Sequence, residues 1–117
     1  MGTNAIIVKE NVSGKFEGIQ LNYDGYLEYA GRILFNNYNN EKKIDELLKL
    51  GNLSILETEL DKCVAYNRDW AKKEQNAQTF ARLSDFGSAP YAYLWKDKAW
   101  FVSIESDDFS LLVNNIL

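Results

Sequence analysis

The sequence predicts an α+β fold: a small antiparallel sheet, built from two hairpins and a central strand, with helices packed mainly on one face. Three observations predict it. Apolar residues near both ends of the chain alternate with a period of two. Between about Leu27 and Gly51 they recur instead at helical spacing. No Pro- or Gly-rich linker, repeat or low-complexity tract divides the chain, so residues 1–117 read as a single domain.

The elements follow in order. Ala5-Ile6-Ile7-Val8 is β-branched and reads as a buried strand, and Asn11 to Gly14 is turn chemistry. A second strand starts at Phe16, where Ile19, Leu21 and Tyr23 alternate with Gln20 and Asn22, giving a hairpin with one wet face. Asp24-Gly25 breaks that strand. Leu27, Ala30, Gly31, Leu34 and Tyr38 then make a helix face, widened by Ile33 and Phe35, with Gly31 allowing close packing on the sheet. Asn39 or Asn40 caps the next helix, whose buried stripe is Ile44, Leu47 and Leu48 and whose stop is Gly51.

Ser54 to Glu57 has the spacing of a capping box and predicts a short helix. Cys63 to Arg68 is expected as the third strand, with Val64 and Tyr66 on one face. Asp69 to Thr79 reads equally as a surface helix or an ordered loop. The second hairpin is the plainest signal: Tyr91, Tyr93 and Trp95, a turn at Lys96-Asp97-Lys98, then Trp100, Val102 and Ile104. Ser106 or Asp107 is expected to cap a final helix presenting Phe109, Leu112, Val113 and Ile116.

Composition bounds the chemistry. Histidine is absent, which removes Ser-His-Asp and Cys-His catalysis and the common zinc sites. The single Cys63 forms no internal disulfide and reads as a buried structural thiol. Neither a Gly-rich phosphate loop nor a calcium-loop spacing occurs. Asp107-Asp108 and Glu57 are explained as helix-start residues, so no catalytic carboxylates, metal ligands or cofactor are expected. The net charge of −4 argues against direct nucleic-acid binding and suits solubility or a partner that is itself basic. No signal peptide and no membrane-spanning run is expected, which gives a cytoplasmic reading.

The candidate binding residues fall in three places. Asp24, Tyr26, Glu28 and Arg32 surround the strand-to-helix junction. Arg68 follows the third strand. Tyr91, Tyr93, Trp95 and Trp100 form an aromatic stripe on the second hairpin. Such a stripe packs a core, stacks bases within a basic groove, or anchors a protein interface; the only nearby cations are Lys96 and Lys98.

Asn22-Tyr23-Asp24-Gly25-Tyr26-Leu27-Glu28, followed by Gly31, Leu34 and Tyr38-Asn39 and by the run from Leu47 to Leu53, resembles a widespread family of small uncharacterised proteins encoded by phages, prophages and mobile elements. That family's junction reads W-D-G-Y-P-E. Ala65-Tyr66-Asn67-Arg68-Asp69 resembles its Y-H-R-D stretch, and Tyr93 to Trp100 resembles its Y-L-F-K-D-G-K-W hairpin. Tyr23 departs from the usual Trp, Leu27 from Pro, Arg32 from Lys and Asn67 from His, the last weakening any catalytic reading of that stretch. The family carries no assigned activity, so the resemblance implies a bacterial-host setting and no reaction. The expectation is a non-enzymatic modulator that binds a host defence or regulatory protein, as anti-CRISPR and anti-restriction proteins do. The alternative is a nucleotide or metabolite binder, with Tyr26, Arg32, Arg68 and the aromatic hairpin lining its pocket. A plain accessory domain is the third reading.

Overall fold

The computed structural model describes residues 3–116. Its centre is one eight-stranded sheet, and the strand at the middle of it holds the unbroken apolar run Ala5-Ile6-Ile7-Val8. Strand β1 (Ala5–Glu10) and strand β2 (Phe16–Leu21) form the first hairpin. Its turn is closed by the Asn11 side chain, which accepts from the Ser13 and Lys15 backbone N–H groups at 3.1 Å each, and by Gly14 at a φ of +82°.

A π-helical turn, Leu27–Gly31, runs into α1 (Arg32–Asn37), and α2 (Glu41–Lys49) follows. Gly31 sits where a Cβ would meet Leu27 at 3.1 Å, Leu112 at 3.4 Å and the Tyr93 ring at 3.5 Å, which is the close packing expected of it. Asn40 is the cap of α2, accepting the Lys43 N–H at 2.9 Å. Ile44, Leu47 and Leu48 are buried beneath α2, and Lys9 of β1 pairs with Asp45 at 2.7 Å.

The middle of the chain departs from expectation. Leu53–Ile55 is a strand, β3, and no capping-box helix forms; only a 3-10 turn appears, at Leu60–Lys62. Gly51 turns the chain back onto the open edge of the sheet. There the Leu53 and Ser54 carbonyls accept the Asn22 and Tyr23 N–H groups at 3.0 and 3.1 Å, so tertiary pairing overrides the local cap signal. The expected third strand is cut to two residues, β4 (Val64–Ala65), and it lies at the sheet edge instead of its centre. The Asp69 carboxylate reaches back to the Ala65 N–H at 2.8 Å and starts α3 (Tyr66–Trp70), so Tyr66 is helical. The segment to Thr79 resolves into the end of α3, a loop, and β5 (Gln78–Phe80), which pairs with β2.

Strands β6 (Tyr91–Lys96) and β7 (Ala99–Ile104) make the second hairpin, with Asp97 and Lys98 at φ of 51° and 61° in its two-residue turn. Pairing within each hairpin is antiparallel, but β1 and β6 lie side by side and parallel, as do β2 and β3, so the sheet is mixed. The sheet runs β4-β3-β2-β1-β6-β7, and β8 (Ser110–Leu111) closes the far edge. The final helix, α4 (Val113–Ile116), is a single turn. Its predicted face divides, since Leu112 and Ile116 join one core and Phe109 packs into another.

That second core is the other correction. The larger core lies between the sheet and the helices and includes Ile7, Leu34, Tyr38, Leu48, Tyr93 and Trp100. The opposite face, expected to be wet, buries Ile6, Val8, Phe86 and Leu94, with Phe16, Phe80, Phe101 and Phe109 packed against them. The stretch 80–90 supplies its cover, and Phe86 meets Phe80 edge-to-face at 4.8 Å. Covered strands have no need to alternate, which explains Ile6-Ile7-Val8. No helix among the described residues is long and apolar enough to cross a membrane.

Three tyrosines bind the first core into a pH-sensitive unit. Tyr29, Tyr38 and Tyr93 donate their hydroxyls to the carbonyls of Leu56, Glu57 and Gly25 at 2.9, 2.8 and 2.8 Å. Burial, helped by Glu57, pushes Tyr29 up to about 12; burial pushes Tyr38 and Tyr93 further in the same direction. A tyrosine in the unfolded chain ionises near pH ~10, so the stability these groups contribute is whole below that pH and falls as pH climbs toward ~12. Urea midpoints should therefore drop steadily above pH ~10. A midpoint that stays flat across that interval would show the hydroxyls to be solvated.

Candidate functional site

The residues singled out in the sequence occupy separate, mostly structural, positions. At the junction, Asp24 takes a left-handed φ of 56°, and Gly25 lies where a Cβ would fall 2.7 Å from the Ala5 Cβ. The Gly25 N–H donates to Thr3 at 2.8 Å, and its carbonyl is the acceptor for Tyr93. Tyr26 is half-buried, its ring 6.1 Å from that of Tyr29, while Glu28 and Arg32 are exposed. This junction anchors α1 on the sheet.

The aromatic stripe is core and offers no stacking platform. Tyr93 is fully buried, and Trp95 and Trp100 are each 4% exposed. The two indoles meet edge-to-face at 5.5 Å, and Trp100 Nε1 donates to the Tyr38 carbonyl at 2.8 Å. Tyr91 is half-buried and stacked on Tyr93 at 6.4 Å. Burial places Tyr93, Trp95 and Trp100 in the core, with Trp95 and Trp100 also lining a small crevice: aromatic alternation marks a packed face as readily as an open one. Arg68 is spent on its own chain, donating to the carbonyls of Leu60 and Cys63 and pairing with Asp69 at 3.0 Å. Its guanidinium holds the Asp69 carboxyl below the usual range.

Cys63 is the buried thiol expected. Its Sγ accepts the Glu57 N–H at 3.2 Å and lies 3.7 Å from the Tyr38 hydroxyl, and burial raises its pKa. That environment holds it as a neutral, unreactive thiol.

A concavity of about 890 Å³ lies elsewhere, on the second face of the sheet. Ile6, Ala92 and Phe109 form its apolar floor. One wall is the stretch from Leu83 to Pro90, and the other is the loop from Glu105 to Asp107. Both walls are tied down. Buried Phe86 fixes the 3-10 turn Leu83–Phe86, and Gly87 leaves it at a φ of +84°. Across the groove, the Glu105 N–H donates to the Pro90 carbonyl at 2.7 Å. The Ser103 hydroxyl donates to the Ser106 carbonyl, and Asp108 N–H donates to the Ser106 hydroxyl at 3.1 Å.

Glu105 and Asp107 are the charged groups lining this groove, and no Lys or Arg lines it. Neither carboxylate has a cationic partner within 4.0 Å among the described residues. Asp107, expected to cap a helix, stands exposed in the loop before β8. Sequence reasoning left residues 80–90 unassigned, and the available signal was the apolar parity of Ile6, Val8, Ala92 and Leu94, which requires a second cover.

A smaller crevice of about 150 Å³ lies between the end of α1 and the tip of the second hairpin, lined by Phe35, Asn39, Trp95 and Lys98 among others. Trp95 Nε1 is buried without a hydrogen-bond partner among the described residues. Neither concavity is lined by Tyr26, Arg32 or Arg68, so the pocket expected of those residues does not appear in either. No family model matches the chain, and no curated protein or solved structure matches it.

Proposed function

We propose that this chain is a non-enzymatic protein-binding modulator and that it engages its partner through the groove on the second sheet face. One observation carries the reading: an open concavity of about 890 Å³ whose floor is apolar, whose walls are joined by the Glu105 N–H bond to the Pro90 carbonyl, and whose Glu105–Asp107 wall is braced by the Ser103 bond to Ser106. A preformed groove limits the ordering cost of binding. Its size lies at the upper end of what ligand clefts show, roughly 300–1,000 Å³. The lining offers hydroxyls, main chain and carboxylates but no histidine, cysteine or lysine, a set suited to holding a chain and poorly suited to general acid–base work near neutral pH. The sequence resemblance adds the setting: a phage or mobile-element protein acting in the bacterial cytoplasm on a host defence or regulatory system.

The test is capture from nuclease-treated bacterial lysate with tagged chain and with Ser88→Trp, which adds an indole at an exposed lining position. A stoichiometric protein should be retained by the parent chain and depleted about tenfold or more by the indole, as expected when a central contact is blocked. Equal recovery with both, or no stoichiometric protein, would remove the groove from the account.

A further inference from the structure

We infer that the segment seated in the groove is an extended stretch of the partner that presents a Lys or Arg side chain to Glu105 and Asp107. The inference rests on the groove being the docking face and adds the chemistry of the occupant. Glu105 and Asp107 stand two residues apart on one wall, both exposed, in a loop held by the Glu105 N–H bond to Pro90 and the Ser103 bond to Ser106. Among the described residues neither is within 4.0 Å of a cation, and no Lys or Arg lines the groove to neutralise them. Two like charges beside a low-dielectric floor raise the local potential for a cation such as a guanidinium or an ammonium.

The remaining surface specifies the rest of the occupant. Ile6, Ala92 and Phe109 supply an apolar floor that a side chain next to the basic residue covers. The hydroxyls of Ser84 and Ser88 on the opposite wall each donate and accept, which matches the alternating N–H and C=O groups of an extended main chain. A lone small amine would leave most of about 890 Å³ unfilled. The chain's own charge of −4 reinforces the preference at longer range.

The experiment is selection from a random heptapeptide library against the parent chain, against the double variant Glu105→Gln, Asp107→Asn, and against Ser88→Trp. The parent should enrich peptides carrying Lys or Arg beside an apolar residue, and the double variant should bind those peptides about tenfold more weakly, with the loss shrinking as salt is raised. Enriched peptides that lack a basic residue but are blocked by Ser88→Trp would overturn this inference while leaving the groove as the docking face. Peptides that bind both Ser88→Trp and the parent, or no enrichment at all, would overturn both.

Discussion

Replacing Trp100 with alanine is expected to lower the unfolding free energy by about 3–5 kcal/mol, the range for deleting a large buried aromatic. Trp100 is 4% exposed on β7 and connects three parts of the larger core. Its ring lies edge-to-face on Trp95 at 5.5 Å. Its indole N–H satisfies the Tyr38 carbonyl at the end of α1, at 2.8 Å, and its own carbonyl accepts the Leu112 N–H at 2.9 Å, ahead of α4. The adjoining crevice of about 150 Å³ means that the lost volume opens onto existing space. Trp100→Phe separates the terms: it keeps a ring and removes the donor, leaving the Tyr38 carbonyl unpaired at a cost of about 1–3 kcal/mol. Urea unfolding followed by circular dichroism measures both. A loss for the alanine variant below about 1 kcal/mol, the level of a surface substitution, would contradict the placement of this ring.

Gly51→Ala is expected to be nearly as damaging, at about 3 kcal/mol, because left-handed strain and steric overlap combine there. Gly51 has a φ of +79°, and an added Cβ would fall 2.2 Å from the Gln75 carbonyl oxygen and 2.9 Å from Asn67 Nδ2. That carbonyl has little freedom to retreat, since it accepts the Asn52 N–H at 2.6 Å. Asn52 is itself fixed, taking the Gln20 N–H at 2.8 Å and donating to Gln75 Oε1 at 3.2 Å. Gly87→Ala is the comparison: with φ of +84° and ψ of −172° it sits in a backbone region almost reserved for glycine, but nothing lies within 4 Å of the new Cβ, so backbone strain alone, about 1–3 kcal/mol, remains. A loss at Gly51 below about 1 kcal/mol would show that Gln75 does not pack over Gly51.

What the sequence made legible was whatever local chemistry determines. The Asn11 turn, the Asn40 cap, the Gly51 stop and the Asp97-Lys98 hairpin turn each depend on residues within a few positions, and each formed where expected. The α+β class followed from the change of period at Leu27. The failures have two causes. Ser54 took the conformation dictated by a distant partner, the open edge of β2, whereas Tyr66 became helical through a local signal that went unread, the Asp69 carboxylate on the Ala65 N–H, with the more distant Asn22 holding its hydroxyl. The parallel pairing of β1 with β6 had its trace in the unbroken run Ile6-Ile7-Val8, which only a sheet covered on both faces accommodates.

The candidate site was less legible. Of the residues first proposed for binding, Tyr93, Trp95 and Trp100 pack the core, Arg68 serves its own backbone, and Asp24 shapes a turn. The groove instead combines side chains from β1, β6, the loop after β7 and the stretch from Leu83 to Pro90, brought together only by tertiary folding. Its one local mark, the acidic run Glu105 to Asp108, has the same composition as a helix start, and nothing nearby in sequence separates the two readings.

The most direct measurement is amide hydrogen exchange of the chain alone and bound to the partner captured from lysate. Slowed exchange confined to residues 83–90 and 103–109, with the first core unchanged, is the predicted result. Protection falling on α3 and the loop that follows it, with the groove exchanging as in the free chain, would contradict the account.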